Sequence, residues 1–422
     1  MSRSLAKKLA QVKPGTLYAG VDLALEWNYT MVITERAQIL ARFRFPHDRA
    51  GYDYFYQRLA TLQERQQAPA VWVGMEPTNY FWKLLAADLE QHPAWPYRLV
   101  NPYTVKRRRE GDQLDNAKDD PRDAFTIADL LRTGKYTETR LLQGGYAELR
   151  QYASLHAGLE QDLTRCKNRL HELTGQLFPE LREVFQDVAG LTAQALWRRG
   201  AAATAIRALE EEQFLQQVRE HFQGQRLQVT KLRVAYDRAG HSVGLVAGCQ
   251  ALQRGLMNAV AQLQILDQQE QQVRREFTDC FLALPQAPYM LSVPSLGLLT
   301  AATILAEVGD PRHYSRIGQW VKLAGIQPVP NTSGRKSRSQ TPMSRKGRPR
   351  LRKALYFAVL RLVQGDPHFA QAYQYYQQRD QNPLTKMQAL GVLMNKLLRL
   401  LWALTKQQTF YHPDSALAIT AD

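Results

Sequence analysis

Leu17-Tyr18-Ala19-Gly20-Val21-Asp22-Leu23, the run LYAGVDL, decides how the first part of this chain folds. It is short, apolar and strand-like, yet it carries an aspartate. Burying an unpaired charge is costly, so an acid amid valine and leucine needs a reason to be there. Side chains alternate across a strand, so Val21 and Leu23 point one way and Asp22 the other. Outward from this run the pattern continues. Tyr29–Thr34 (YTMVIT) is a second strand, separated from the first by polar Glu26-Trp27-Asn28, and Ile39–Phe45 is a third. Tyr52–Leu62 has helical apolar spacing, Val71–Met75 (VWVGM) is a buried strand, Asn79–Leu89 a helix and Tyr97–Val100 a strand. Three strands, a helix, a strand, a helix and a strand are the order of an α/β RNase H-like fold.

Three more acids, on two further segments, join Asp22. Glu76 ends the VWVGM strand, just before Pro77. Asp120 and Asp123 lie in Lys118-Asp119-Asp120-Pro121-Arg122-Asp123-Ala124, and Pro121 in a first helical turn would put both on one face. The helix would continue to Leu131. Asp112, Asp115, Asp119 and Asp129 compete with them, and any one acid taken alone also suits a solvated surface. The background is basic: 422 residues with 55 Lys+Arg against 39 Asp+Glu, a formal charge of +16. That balance favours a polyanionic partner, DNA or RNA. A basic chain that gathers acids is expected to hold cations there, and two-metal phosphoryl chemistry needs oxygen ligands holding ions roughly 3.5–4 Å apart. Magnesium suits carboxylates.

Beyond residue 140 the periodicity changes. Leu149, Tyr152, His156, Leu159, Leu163, Cys166, Leu170, Leu173 and Leu177 repeat at spacings of three and four, with one polar lapse at His156. A second seam runs from Leu252 through Leu256, Leu263, Leu266 and Val273 to Phe277, with its lapse at Glu270. Matched seams around a charged helical insert, Phe178–Ala251, predict an antiparallel helical hairpin, a seam shared between subunits, or amphipathic helices packed within one domain. Pro285 and Pro288 open a third region, in which Ser295-Leu296-Gly297 leads into an apolar helix, Leu298–Val308, ending at Gly309. A turn before a helix can hold a phosphate on exposed N–H groups, as in a helix-hairpin-helix. The expected domains are 1–140, 141–284 and 285–422.

From Asn331 the chain reads NTSGRKSRSQTPMSRKGRPRLRKAL. Arg335, Lys336, Arg338, Arg345, Lys346, Arg348, Arg350, Arg352 and Lys353 crowd it without an acid, which suits a cationic loop on a phosphate backbone. Arg107, Arg108, Arg109 and Lys118 add a second basic set near the acids. Ser333 heads the segment, followed by Gly334, and a serine attacking phosphorus needs deprotonation and charge neutralisation. On composition alone it is equally a linker hydroxyl. Three separated cysteines argue against a zinc knuckle or a disulfide framework and fit a reducing cytoplasm. The start lacks the apolar core of a secretion signal, and no apolar run reaches membrane-span length, so no membrane partner is expected.

Taken in order, these motifs resemble the transposases of bridge-RNA-guided insertion sequences, the DEDD transposases related to the Piv DNA invertases. GVDLA (Gly20–Ala24), MEPTNYFWKLL (Met75–Leu85), VNPYTVKRRR (Val100–Arg109), KDDPRDAFTIADLL (Lys118–Leu131), SVPSLGLLTAATILAEVGDPRHYS (Ser292–Ser315) and KLAGIQPVPNTSG with SRKGRPRLRKAL carry the likeness. It implies a RuvC-like N-terminal domain, a coiled-coil middle and a mainly helical C-terminal transposase domain. It implies that Asp22, Glu76, Asp120 and Asp123 bind Mg2+, with Mn2+ as a substitute. It implies that Ser333 forms a phosphoserine link to DNA at a composite site, acids from one subunit and serine from another. Donor and target DNA, a structured noncoding guide RNA and a homo-oligomer of dimers forming a tetramer are the implied partners, in a prokaryotic cytoplasm at the nucleoid. The alternatives are a RuvC-like Holliday-junction endonuclease and an invertase that needs no RNA. Departures are Leu25, Asn79, Asp119 and Ser295, which replaces a glycine; Ser337, Ser339 and Ser344 remain alternatives to Ser333.

Overall fold

In the computed structural model, residues 8, 10, 12–112, 120–138, 141–329, 332–333, 336–337 and 342–413 are described. The chain divides into two compact units, Met1–Leu141 and Leu142–Asp422.

The first unit is built on a five-stranded mixed sheet. Strands β1 (Leu17–Asp22), β2 (Asn28–Ile33) and β3 (Ile39–Phe45) form an antiparallel meander, and β4 (Val71–Met75) and β5 (Tyr97–Leu99) join parallel, in the order β3-β2-β1-β4-β5. The helices are α1 (Arg49–Arg65), α2 (Phe81–Glu90), α3 (Pro102–Asp112) and α4 (Asp120–Arg132). Strand alternation sorts the core into two layers. Leu17, Ala19, Val21, Val71, Val73 and Met75 meet Phe55 and Leu59 of α1 and Leu85 and Ala86 of α2 on one face. Tyr18, Met31, Ile33 and Trp72 meet Ala124, Ala128 and Leu131 of α4 on the other. This mixed sheet with its helices is consistent with an RNase H-like arrangement. The helix α3 is an addition to the sequence reading. Its apolar periodicity is poor: among its described side chains Val105 is buried, and basic residues follow it.

The second unit is helical. Two 34-residue helices, α5 (Gly144–Leu177) and α11 (Cys249–Leu282), form its spine. Between them lie α6 (Leu181–Val184), α7 (Leu191–Arg199), α8 (Ala203–Arg207), α9 (Glu211–Glu220) and α10 (Val229–Ala239). The spine helices pair antiparallel within one chain. Gly145 accepts from the Cys280 thiol, His156 meets Glu270, and the Cys166 thiol donates to the Ala259 carbonyl. The two polar lapses of the heptad seams therefore face each other, with His156 Nε2 3.1 Å from Glu270 Oε1. Of the arrangements the seams allowed, the intrachain hairpin is the one observed. Its far half packs with the insert helices, and its near half, from Tyr146 to Ala153 and from Phe277 to Phe281, belongs to the core of the C-terminal helices.

Those helices are α12 (Ala287–Leu291), α13 (Leu298–Val308), α14 (Gly318–Ala324), α15 (Pro349–Gly365), α16 (Pro367–Gln378) and α17 (Lys386–Gln407). The turn before α13 holds Ser295 at a φ of 61°, in the left-handed region that favours glycine. No helix among the described residues is long and apolar enough to cross a membrane.

Candidate active site

The sheet register brings two of the acids to one edge. Val21 pairs with Met75 across the parallel β1–β4 ladder, so Asp22 and Glu76, the next residues, leave adjacent strands at the same level. Gly20 and Gly74 precede them by two and share their face. On that face Gly20 lets the backbone of α4 come unusually close. A Cβ at position 20 would lie 2.1 Å from the Ala124 carbonyl oxygen and 2.5 Å from the Ala128 nitrogen. The first turn of α4 is thereby laid over the C-terminal half of β1. That turn carries Asp120, exposed, and Asp123, which is 5% exposed, and both stand in the region where a helix N-terminus favours negative charge. Asp22, Glu76 and Asp123 are thus drawn to one face by register and by a glycine contact, with Asp120 one turn earlier on the same helix.

Asp129, a competitor in the sequence, has another occupation. It lies inside α4 and is 5% exposed, with Arg132 donating to it at 2.6 Å and 3.0 Å and Arg108 3.3 Å away. Arg108 is therefore engaged in tying α3 to α4. Arg107 sits 4.8 Å from the ring centre of Tyr103, and Lys106 faces Glu110 at 3.8 Å. Lys118, Asp115, Asp119 and the side chains of Arg109 and Asp112 lie outside the described residues.

The four acids offer oxygen donors only, the set that suits a hard divalent cation. Among the described residues no three His, Cys, Asp or Glu side chains are already grouped to hold a metal ion. The donors fit such a cation in chemistry and in shared face, without being closed into a finished cage.

In the second unit, the described residues of the serine-bearing segment include a short antiparallel β-ladder where the sequence suggested a loop. Strands β6 (Thr332–Ser333) and β7 (Lys336–Ser337) pair antiparallel, with Ser333 opposite Lys336. At the base of the segment Pro328 forms an isolated antiparallel bridge with Met343, the Val329 N–H donates to the Pro342 carbonyl and the Ser344 N–H to the Gln327 carbonyl. Below this base, Gly347 abuts the end of α14. A Cβ there would come within 2.4 Å of the Gly325 nitrogen and 2.5 Å of the Leu323 carbonyl oxygen. Arg335, Arg338 and Ser339 lie outside the described residues, as do the side chains of Ser333, Lys336 and Ser337.

Several of the expected phosphate-binding arginines have partners within the chain. Arg348 donates to the Glu307 carbonyl, Arg352 to the Ala324 carbonyl at 2.9 Å, and Arg350 to Ser154 Oγ at 3.1 Å. Arg150 joins them, donating to the carbonyls of Ala306 and Glu307. Arg348 and Arg150 thus cap the C-terminal end of α13, whose last carbonyls lack helical N–H donors, while Arg352 caps the end of α14. Burial pushes Arg150 down to about 10, and the neighbouring charge of Arg348 adds to the effect. This cluster was not legible in the sequence, because Arg150 falls in a heptad seam 150 residues or more from its companions. Arg345, Lys346 and Lys353 are exposed.

Comparison with known proteins adds two regions of likeness. Residues 19–179 match the DEDD transposase family of IS110, described as "Transposase", and residues 287–374 match the "Transposase IS116/IS110/IS902 family". The chain is 26% identical to an uncharacterized 43.6 kDa protein of insertion element IS110 from Streptomyces coelicolor, covering 70% of this chain and 72% of that one. It is 26% identical to an uncharacterized 42 kDa protein of insertion element IS900 from Mycobacterium paratuberculosis, over 95% of this chain and 98% of the relative. A 44.8 kDa protein of insertion element IS116 from Streptomyces clavuligerus is 24% identical over 96% of this chain and 98% of its own length.

Proposed function

We infer from these matches that the chain is a transposase of the IS110/IS116/IS902 family, an enzyme acting on DNA, and propose that it exchanges DNA strands through a phosphoserine intermediate. Asp22, Glu76, Asp120 and Asp123 hold Mg2+ in this reading, and Ser333 is the nucleophile. The observation that carries it is the convergence of Asp22, Glu76 and Asp123 on one face through the β1–β4 register and the Gly20 contact.

The Ser333 oxygen forms a bond to the scissile phosphorus, and one deoxyribose oxygen leaves with a proton. The hydroxyl of the incoming strand then attacks the phosphoserine, forming the new strand and returning the proton to serine. Energy of the phosphodiester is conserved, so no co-reactant is needed. A divalent cation bound at the acids supplies charge neutralisation to the phosphate. The acids fix where that phosphate lies, and the exposed Arg345, Lys346 and Lys353 hold flanking phosphates. Assembly as dimers forming a tetramer, with acids of one subunit serving the serine of another, and choice of site by a guide RNA complete the proposal; sequence choice is then delegated to base pairing.

Ser333→Ala tests the nucleophile. It abolishes the covalent protein–DNA adduct trapped on a nicked suicide substrate, while folding and DNA binding stay intact. An adduct that persists excludes Ser333. Asp22→Asn and Asp123→Asn stop strand exchange in Mg2+, and full activity in either variant removes that acid from the site. A junction endonuclease would instead leave free 5′ phosphates and no rejoined strands.

A further inference from the structure

The edge of the sheet that carries the acids also carries exposed aromatic rings. Four chain segments meet there. The β1–β2 loop follows Asp22, and the end of β3 lies beside it because Phe45 pairs with Asn28 and Asp22 with Tyr29. The segments after β4 and β5 complete the edge, with the Val100 N–H bonded to the Met75 carbonyl. Asn79 Nδ2 donates to the Leu23 carbonyl at 3.2 Å, which binds the post-β4 segment to the β1–β2 loop.

On these segments His47, Phe81 and Tyr80 form a ladder. His47 stacks on Phe81 with ring centres 4.7 Å apart and planes 20° apart, and Tyr80 packs tilted against Phe81, with centres 4.2 Å apart and planes at 40°. Tyr80, its outer rung, is 60% exposed. Trp27 on the β1–β2 loop is 52% exposed and Tyr103 at the start of α3 is 53% exposed. Lone exposed apolar side chains are ordinary, but here three large aromatic rings stand on the β1–β2 loop, before α2 and at the start of α3, on segments that issue from the same end of the sheet. Lys83, Lys106 and Arg107 are exposed on the helices that begin at this edge. Planar rings beside cations are the combination that receives unpaired nucleobases, because every base has a π-face and its phosphate needs a positive neighbour.

We propose that Tyr80, with Trp27 and Tyr103, stacks unpaired bases of a DNA strand at the carboxylate edge. The site rests on the reading that the four acids address a scissile phosphate and extends it to the bases beside that phosphate. Strand exchange has to separate paired strands, and a ladder with an open outer rung holds the bases once they are splayed.

The test compares two DNA probes of equal length, one fully paired and one with a central mismatched stretch, bound by the full chain in EDTA at fixed salt. The wild-type protein binds the mismatched probe more tightly. Tyr80→Ala, Trp27→Ala and Tyr103→Ala each weaken that binding about fivefold or more and leave the paired probe unaffected. Tyr80→Phe and Trp27→Phe retain the preference, which a loss of folding would not allow. A triple alanine variant that keeps the preference overturns the proposal. So does an equal loss on both probes, or a preference for RNA over DNA of the same sequence that the same substitutions remove. The assay needs neither metal nor strand exchange, so its failure is separate from failure of the acid site, which is read from Asp123→Asn.

Discussion

The acids and the serine are held by opposite kinds of structure. Asp22 and Glu76 issue from the middle strands of a five-stranded sheet, with buried layers on both faces. Their placement is set by ladder register, and a one-residue slip would send both to the other face. Ser333 stands on a two-stranded ladder whose described strands are two residues each, and whose position is set at its root by Pro328, Met343 and the Gly325–Gly347 contact. The acids are thus fixed by long-range burial, whereas the serine is fixed by a few backbone contacts at the base of an arm. The first arrangement should fail globally when disturbed, and the second locally.

Gly20→Ala is the sharpest way to break the first arrangement. The new Cβ meets backbone atoms of α4, which cannot rotate aside, so α4 must lift from β1. A destabilisation of about 3 kcal/mol or more is expected, read from the denaturant midpoint, with strand exchange lost. An unchanged midpoint would mean that α4 does not rest on Gly20. Gly347→Ala is the matching change at the arm. Its Cβ meets Gly325 and Leu323 backbone, and about 2 kcal/mol is expected. Here covalent adduct formation should fall while Mg2+ binding by the acids is retained. Loss of both together would erase the distinction between a global frame and a local root.

The same contrast explains what the sequence revealed. Strands β1 to β5 were legible to within a residue, β1 and β4 from apolar runs buried on both faces and β3 from the alternation of buried Phe43 and Phe45 with exposed Arg42 and Arg44, and α4 was legible from the Pro121 start and its apolar face. The heptad seams showed α5 and α11, but not that His156 and Glu270 are partners, since a lapse in one seam does not name its complement in the other. The arm was hidden: its pairing depends on Pro328 meeting Met343, and its root on Gly347 meeting Gly325, neither of which is a local pattern. The arginines that cap the ends of α13 and α14 were read as phosphate-binding surface for the same reason. Charge was visible in Arg348, Arg350 and Arg352, but the carbonyls of Glu307 and Ala324 that receive Arg348 and Arg352 were not.

The spine of the second unit offers a smaller test of whether it too has a register. His156→Leu leaves Glu270, whose side chain is 17% exposed, facing apolar neighbours without its partner, at a cost of about 1 kcal/mol. Pairing it with Glu270→Leu should recover that loss, because two apolar residues can replace a buried polar pair without penalty. A double-mutant cycle measures the coupling. Additive losses would show that the pair does not act as a unit, and the seam lapses would then have no bearing on how α5 and α11 align.

The smallest expected effect is a gain. Ser295 occupies a left-handed conformation at φ 61° that costs a non-glycine residue about 1 kcal/mol. Ser295→Gly relieves it, but glycine loses more chain entropy on folding. It also removes the hydroxyl that fills the space beside Gly365, where a Cβ would lie 2.3 Å from Ser295 Oγ. The balance is a stabilisation of under about 1 kcal/mol, seen as a rise in denaturant midpoint at unchanged slope. A fall in midpoint would show that the packing against Gly365 outweighs the backbone strain. The C-terminal turns would then be held, as the acid edge is, by close long-range contact and not by local conformation alone.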